Sequence, residues 1–547
     1  MLTRDQLMPQ LVASWTIKPV SSAETGHFQR QKEIIMLIRN SAAGLKDLRW
    51  RSVSGQSLCK RAWAARCHAR SRRHFSASQT RWIKTADMKE ADLAALKVDG
   101  RRLLDTLHHT CKFGTGLRWG RQAFSPHVEY SMLPLGDFSA ILRYTDKQAR
   151  DWFVETTKAL GCTVTIDAMG NTFAVRPGRR NVAPIFAGSH LDTQPAAGRY
   201  DGILGVHAGI EMLNLLRDHE VETEHPIGVV NWTNEEGARF PMSMVSSGVW
   251  AEDIPLERAH TLQEVGGGTA TMRSELERIG YLGSVPASFR STPMAAHFEL
   301  HIEQGPILEA QHQKIGVVQG VQAYKWFTVE VEGRASHTGT TPFSARADAL
   351  LLAAQLITHS NRIAVKHSAL ASTGILTLSP GSVNTVPGHV RFSLDVRAAA
   401  DAAVEAVESE LKRDFQTFAR RGSIDGDGDS SQSQGQLPLS VKVTTDFESP
   451  AVLFHQDCIS SVRAAAKSVL GDEHLFRDMT SGAGHDSVYA SKRCPTSMIF
   501  VPSKNGVSHH PEEWTSPEDC ALGAEVLCQS ILRYDRTMAL KGLANVS

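Results

Sequence analysis

Apolar and polar positions follow two regimes along the chain. Between residues 86 and 313, short continuous apolar runs such as Pro184-Ile185-Phe186 and Ile227-Gly228-Val229-Val230 are separated by stretches of helical periodicity. Runs of this length read as strands buried on both faces. Their alternation with helices predicts an α/β layer built on a parallel sheet. Residues 90–107 and 144–160 carry apolar positions at helical spacing, the second opened by Thr145 and Asp146 as caps. From 314 to 425 the character changes. Phe327-Thr328-Val329-Glu330-Val331 and Val390-Arg391-Phe392-Ser393-Leu394-Asp395-Val396 alternate as half-buried strands do, and helices are predicted near 343–360 and 400–419. Residues 422–436, with Gly-Asp-Gly-Asp and a Ser/Gln run, read as a flexible low-complexity loop. The first regime resumes by Leu439, includes the apolar run Met498-Ile499-Phe500-Val501, and closes on a helix over 517–534. The expectation is an α/β domain made of 86–313 and 426–547, interrupted by an inserted α+β domain over 314–425.

The chemistry-bearing residues stand just after the buried runs. Pro184-Ile185-Phe186 leads into Gly188-Ser189-His190-Leu191-Asp192, then Asp201-Gly202 opens a helix. Ile227-Gly228-Val229-Val230 leads into Asn234-Glu235-Glu236-Gly237. Adjacent side chains on extended backbone point to opposite sides, so one carboxylate of the Glu235/Glu236 pair can bind a metal while the other faces a reacting water. A second histidine, His301, stands in Phe298-Glu299-Leu300-His301-Ile302-Glu303-Gln304-Gly305, and Ser508-His509-His510 follows the last apolar run. Histidine, Asp and Glu in this mixture suit Zn²⁺ or a similar divalent ion without any thiolate. Asp192, two residues after His190, can hold the imidazole's other nitrogen, and Asp201 at a strand-to-helix turn is placed to bridge two ions.

The segments GSHLDTQPAAGRYDGILG, NEEGARF, AHFELHIEQGPILE, GVQAY, HTGTTP, SVNTVPG, SGAGHDS and TSMIFVPSKNGVSH span roughly residues 95–540. In order and spacing they resemble the hydantoinase/carbamoylase family of dinuclear-metal amidohydrolases, and most of all its fungal β-ureidopropionase type. The resemblance implies an aminopeptidase-like α/β catalytic domain with an inserted α+β lid and dimerisation domain. It implies two divalent ions per subunit, Zn²⁺ foremost, with Mn²⁺, Co²⁺ or Ni²⁺ suited to the same ligands. His190, Asp201 and His301 would hold one ion, and Asp201, Glu236 and His509 the other, with His510 as the rival to His509. Glu235 would be general base on a water between the ions, with Asp192 orienting His190. His337 would stabilise the oxyanion from the inserted domain, across a homodimer. Arg397, Asn384 and Gln304 would bind a small N-carbamoyl carboxylate, although Arg397 could instead close a salt bridge with Asp395. His485, inside a matching segment, has a structural role as an equal alternative and stays outside the catalytic set. The implied reaction is hydrolysis of N-carbamoyl-β-alanine to β-alanine, CO₂ and ammonia. An N-carbamoyl-L-α-amino acid or allantoate is the alternative substrate, and a non-catalytic metal-binding partner protein is the remote one.

Charge and composition change this picture at one place. The net charge of +1 over 547 residues gives no reason to expect a nucleic-acid partner, and no apolar stretch approaches the ~20 residues of a membrane span. The eight cysteines show no Cys-x-x-Cys, as in a reducing compartment. Residues 36–86, however, hold a single acid, Asp47, among many Arg, Lys and Ser. That composition is the mark of a mitochondrial transit segment, so residues 1–85 are expected to be removed or disordered and the mature protein to lie in the mitochondrial matrix, or otherwise the cytoplasm.

Overall fold

In the computed structural model, residues 82–113, 144–195, 197–422 and 437–544 are described. The basic segment up to residue 81 and most of the low-complexity loop lie outside them. The segment's expected end at 85 is a few residues too late. Ile83–Lys84 forms a parallel ladder with Val221–Glu222, and the buried Thr85 hydroxyl donates to Asp535 at 2.5 Å.

Among the described residues, two large sheets organise a mixed α/β architecture, beside two short two-stranded ladders. The larger has nine strands, with a parallel centre in the order Thr496–Val501, Ala296–Ile302, Ile185–His190, Ile227–Trp232. All residues of these four strands are buried, which is why three of them carry apolar runs, while Ala296–Ile302 alternates because its second face carries buried polar residues. Helices Ile203–Asp218, Gln456–Leu470 and Pro517–Ala544 pack on one face around Phe298, Leu300 and Ile302. Short helices Val245–Trp250 and Asp486–Ala490 cover the other, against Trp232 and Phe186.

The smaller sheet is antiparallel, with five strands: Leu370–Ser372 and Leu376–Ser379 both pair with His389–Ala398, which pairs with Ala323–Glu332, which pairs with Ser440–Ser449. One face carries Phe327, Val329, Val331, Leu394 and Val396 into a core with helices Ala349–Lys366 and Asp401–Arg421. The first of these helices begins later than expected, because Asp348 caps it by accepting from the amides of Leu350 and Leu351, and Phe343–Ala345 forms a separate 3₁₀ turn.

The sheet assignments correct the expected domain limits of 314 and 425. Ile315–Val321 belongs to the larger sheet, and Ser440–Ser449 belongs to the smaller one. The first is apolar and buried at every position but Gln319. The second is a mostly exposed edge strand whose side chains alternate weakly, so it carried no signal; the low-complexity stretch falls between helix Asp401–Arg421 and strand Ser440–Ser449, both of which pack in the inserted domain.

Helix Ile203–Asp218 sits unusually close to the sheet. A Cβ built on Gly205 would lie 2.4 Å from the Leu300 carbonyl oxygen and 2.8 Å from the Ser189 Cβ. This approach sets the position of Asp201 at the helix's entrance. Alanine at 205 would gain about 1 kcal/mol of helix propensity, but overlap with a backbone atom costs roughly 1–3 kcal/mol. Gly205→Ala is therefore expected to lower thermal stability; a raised Tm would show that the helix is not held at this distance.

Candidate functional site

The carboxyl ends of the four parallel strands deliver the candidate ligands to one edge of the sheet, where open α/β sheets bind ligands. His190 ends its strand, His301 is the penultimate residue of another, and Glu235 and Glu236 follow Trp232. His509 comes from the loop after Val501. Gly202 permits the assembly: its φ is +68°, and a Cβ there would sit 2.2 Å from the His190 ring.

Asp201 stands between the two halves. Its Oδ1 lies 3.1 Å from His301 Nε2 and 3.7 Å from His190 Nε2. Its Oδ2 lies 3.3 Å from His509 Nε2, which is itself 3.2 Å from Glu236 Oε2. Ligand atoms bonded tetrahedrally to one zinc at its usual bond lengths stand about 3.3 Å apart, so both triads have the spacing of a coordination shell. The buried His190 Nε2 and Glu236 Oε1 lack any hydrogen-bond partner, and a buried polar atom left unpaired costs about 1–3 kcal/mol. Donor chemistry, spacing and orphaned atoms all fit divalent ions, with His190, Asp201 and His301 as one set and Asp201, Glu236 and His509 as the other. His510 is turned away, its Nδ1 accepting from the Glu512 amide at 3.2 Å.

The surrounding hydrogen bonds fix these groups. His190 Nδ1 bonds the main-chain carbonyl of Asp192 at 2.9 Å, and His301 Nδ1 bonds that of Ile302 at 2.9 Å, which leaves each Nε2 for a metal. The expected role of the Asp192 side chain is thus corrected. Its carbonyl orients His190, while its carboxylate accepts from the amides of Glu235 and Glu236 at 3.3 and 3.2 Å. The strand ends at His190 and the chain bends at Leu191, and it is the Asp192 carbonyl, not the carboxylate, that lies beside the ring.

Gln304 is also placed differently from the simple substrate contact expected. Gln304 lines the cleft; its Nε2 donates to Asp201 Oδ2 at 2.7 Å, whereas its buried Oε1 has no hydrogen-bond partner. Arg397 lies on the opposite wall, brought there by the smaller sheet. Its Nε and Nη2 donate to Asp395, and its Nη1 reaches the Gly482 carbonyl at 2.9 Å. The alternative salt bridge is therefore formed, within the same cleft. His337 and Asn384 stand apart. His337 lies exposed in the two-stranded ribbon Ser336–His337 with Thr385–Val386, and the exposed Asn384 stands just before it; His337 Nδ1 accepts from the Gly339 amide and Asn384 Oδ1 accepts from Ser382. Neither lines the cleft in this chain.

Several contributors were not singled out from sequence. Ser508 donates to Asp201 Oδ2 at 2.8 Å, Gln194 Nε2 donates to Glu236 Oε2 at 2.9 Å, and Glu513 accepts from the amides of Tyr200 and Asp201. Beneath His301, Glu299 accepts from Ser189 and Ser487, and the His485 ring packs edge-on at 4.5 Å. One signal for this layer was present: His297, Glu299 and His301 recur every second residue, and so share one face of a strand whose other face is apolar.

Charge in the site is dense. Burial, then Asp486, Glu236, Asp192 and Asp201, holds the Glu235 carboxyl well above its ordinary range. Burial disfavours charge on His301, but Asp201 and Glu299 outweigh it and raise the imidazole to about 9. Hydrogen bonds to Asp201 and Glu236 raise His509 to about 10. At neutral pH the ion-free site therefore carries protons on both histidines, and a metal must displace them. Zn²⁺ titrated calorimetrically into chelator-treated protein at pH 7.5, in buffers of differing ionisation enthalpy, is expected to show net proton release. Apparent affinity should rise about tenfold per pH unit for each displaced proton up to the histidine pKa values. Uptake without proton release would mean that these imidazoles are not the ligands.

Comparison with known proteins gives the same direction. A family model described as peptidase family M20/M25/M40 matches residues 186–533. An N-carbamoyl-L-amino-acid amidohydrolase of Rhizobium meliloti is 35% identical over 439 residues, covering 80% of this chain and 96% of that protein. A ureidoglycolate hydrolase of Arabidopsis thaliana is 31% identical over 401 residues, covering 71% of this chain and 81% of that one. Among solved structures, a hydantoinase/carbamoylase-family amidase from Burkholderia multivorans superposes with a TM-score of 0.71 at 39% identity, over 81% of this chain and 99% of that one. With its two histidine–carboxylate triads at the strand ends, the chain belongs to the M20/M25/M40 peptidase family, as a hydrolase of the carbamoylase/amidohydrolase kind.

Proposed function

We propose that this protein hydrolyses the ureido C–N bond of N-carbamoyl amino acids, releasing the amino acid, CO₂ and ammonia. The observation that carries the reading is one cleft lined by the buried Glu235 carboxyl, by ligands of both triads (Asp201, Glu236, His301 and His509) and by Arg397. The N-carbamoyl-L-amino-acid amidohydrolases among the relatives support an α-amino acid product. N-carbamoyl-β-alanine, expected from the sequence motifs, calls for the same chemistry. It differs from N-carbamoylglycine by one methylene, worth about 1–3 kcal/mol in a pocket.

Two divalent ions, Zn²⁺ before Mn²⁺, Co²⁺ or Ni²⁺, would supply Lewis acidity to a water and to the scissile carbonyl. Glu235 takes the water's proton and returns it to the leaving nitrogen. Its burial beside the ligand carboxylates keeps bulk water from competing for that proton. Asp192 holds the amides of Glu235 and Glu236, which fixes the base relative to the ligand beside it. Gln304 Oε1, without a partner, accepts a ureido N–H. Arg397 takes the substrate carboxylate in bidentate fashion by exchanging Asp395 for it.

The reading extends to a homodimer through the smaller sheet. Leu370, Ile375, Leu376, Leu378 and Val383 are exposed along or beside its edge strands, and an uncovered apolar edge is a pairing surface. A partner at this edge would meet the ribbon of His337 and the adjacent Asn384, whose place in catalysis is then a neighbouring subunit's cleft.

Two experiments test these assignments. Glu235→Gln is expected to bind metal normally and to lose about 10²–10⁴ in ammonia release across a panel of N-carbamoyl-L-α-amino acids, N-carbamoyl-β-alanine and allantoate. Retained activity would remove Glu235 as base, and the preferred compound of the wild type decides α against β. Mixing Glu235→Gln subunits with His337→Ala subunits, after dissociation and reassembly, should restore activity that neither has alone. Additive, unrestored rates would place His337 outside the reaction or within its own chain.

A further inference from the structure

The face of the smaller sheet opposite its helices is aromatic where it meets the cleft. Tyr324 and Trp326, two residues apart on one strand, point the same way, and Phe447 stands directly across from Trp326 in register. The three rings pack on one another: Tyr324 on Phe447 at 5.5 Å, Trp326 on Phe447 at 5.3 Å, and Tyr324 on Trp326 at 5.8 Å. They do so without being buried, since Trp326 is 44% and Phe447 43% exposed. A β-bulge makes the cluster. The register of Ser440–Ser449 skips Asp446 between Thr445 and Phe447, so an aromatic side chain, not an acidic one, opposes Trp326. Asp446 is turned aside to accept from Thr328 at 2.7 Å.

Position gives this shelf its meaning. Tyr324 and Trp326 line the same cleft as Glu235, Glu236, His301 and His509. Arg397 lies across the ladder from Tyr324, with its guanidinium 4.9 Å from that ring's centre. In an N-carbamoyl-α-amino acid, the carboxylate and the side chain leave the same carbon. A carboxylate held by Arg397 therefore puts the side chain beside the aromatic rings, while the ureido carbon points to Glu235. Glycine and β-alanine derivatives have no side chain to place there.

We propose that Tyr324, Trp326 and Phe447 are the specificity surface of this enzyme, selecting N-carbamoyl-L-α-amino acids with aromatic or large aliphatic side chains. The inference rests on the N-carbamoyl amino acid reading above and narrows it to a substrate class. Rings that already pack on one another lose little freedom when a ligand is added, and offset or edge contact with an aromatic substrate adds about 0.5–1.5 kcal/mol beyond area burial.

The test measures kcat/KM for N-carbamoyl-L-phenylalanine, N-carbamoyl-L-leucine, N-carbamoylglycine and N-carbamoyl-β-alanine with the metal-loaded full chain. Wild type, Trp326→Ala, Trp326→Phe and Phe447→Ala are compared. The wild type is expected to prefer the first two substrates. Trp326→Ala should lower kcat/KM for them by roughly ten- to a hundredfold and leave N-carbamoylglycine nearly unchanged, while Trp326→Phe keeps most of the preference. The ratio between substrates is read within one protein, so a general folding defect does not mimic the effect. Equal losses on all four compounds, or a wild type that turns them over without preference, overturn the shelf alone. Unchanged ratios with a loss of oligomeric mass would make the rings an interface and overturn it as well. No turnover of any N-carbamoyl compound overturns the function reading, and the shelf with it.

Discussion

Mutual repulsion among buried carboxylates is the constraint on which this site depends. Asp192, Asp201, Glu235, Glu236, Glu299 and Asp486 are all buried around the ends of four strands. Two like charges 4 Å apart at an effective dielectric constant of 20 repel by about 4 kcal/mol, so the cluster stands only if positive charge is interleaved with it. Without ions, protons do this work. His301 and His509 hold theirs up to about 9 and 10, and Glu235 is held well above the ordinary carboxylate range. With divalent ions in the two triads the histidine protons become redundant. The same carboxylates that make the ion-free site costly would then hold the ions, with Asp201 presenting one oxygen to each triad.

Parallel strand order makes this crowding reachable by a chain whose ligands are far apart in sequence. Residues 190, 235, 236 and 301 arrive at one edge because their strands run side by side in the same direction, and 509 follows the fourth. Close approach does the rest. Gly205 lets the helix lie against the sheet, and Gly202 lets its entrance pass beside the His190 ring. Main-chain carbonyls of Asp192 and Ile302 then turn the imidazoles, so the geometry is held by backbone that side-chain substitution elsewhere does not disturb.

Those parts differ in how far the sequence displayed them. Most of the doubly buried strands are legible because they contain unbroken apolar runs, and His190, Glu235, Glu236 and His509 are legible because they end or follow such strands. The carbonyl of Asp192 was not, since residue type says nothing about where a main-chain oxygen points. Ser440–Ser449 was missed for a related reason: an exposed edge strand has no hydrophobic alternation to betray it, and its bulge hides the position of Phe447. For Arg397, sequence offered a carboxylate clamp and an ion pair with Asp395 as rivals. In the structure the pair is formed inside the cleft, so the two are successive states of one side chain in the mechanism proposed here rather than alternatives.

Two sheets divide the labour of that cleft. The ligand triads, Glu235 and the carboxylate layer below them belong to the larger sheet, where every strand residue near them is buried and motion would expose uncompensated charge. Arg397 and the aromatic rings belong to the smaller one, whose outer face is open to water and whose last strand carries a bulge. A change of aromatic residue there alters which side chain fits without touching the charge balance around Asp201, whereas a substitution among the strand-end carboxylates leaves a neighbouring charge unpaired. Selectivity can therefore drift within this fold at low cost in stability, while the chemistry cannot.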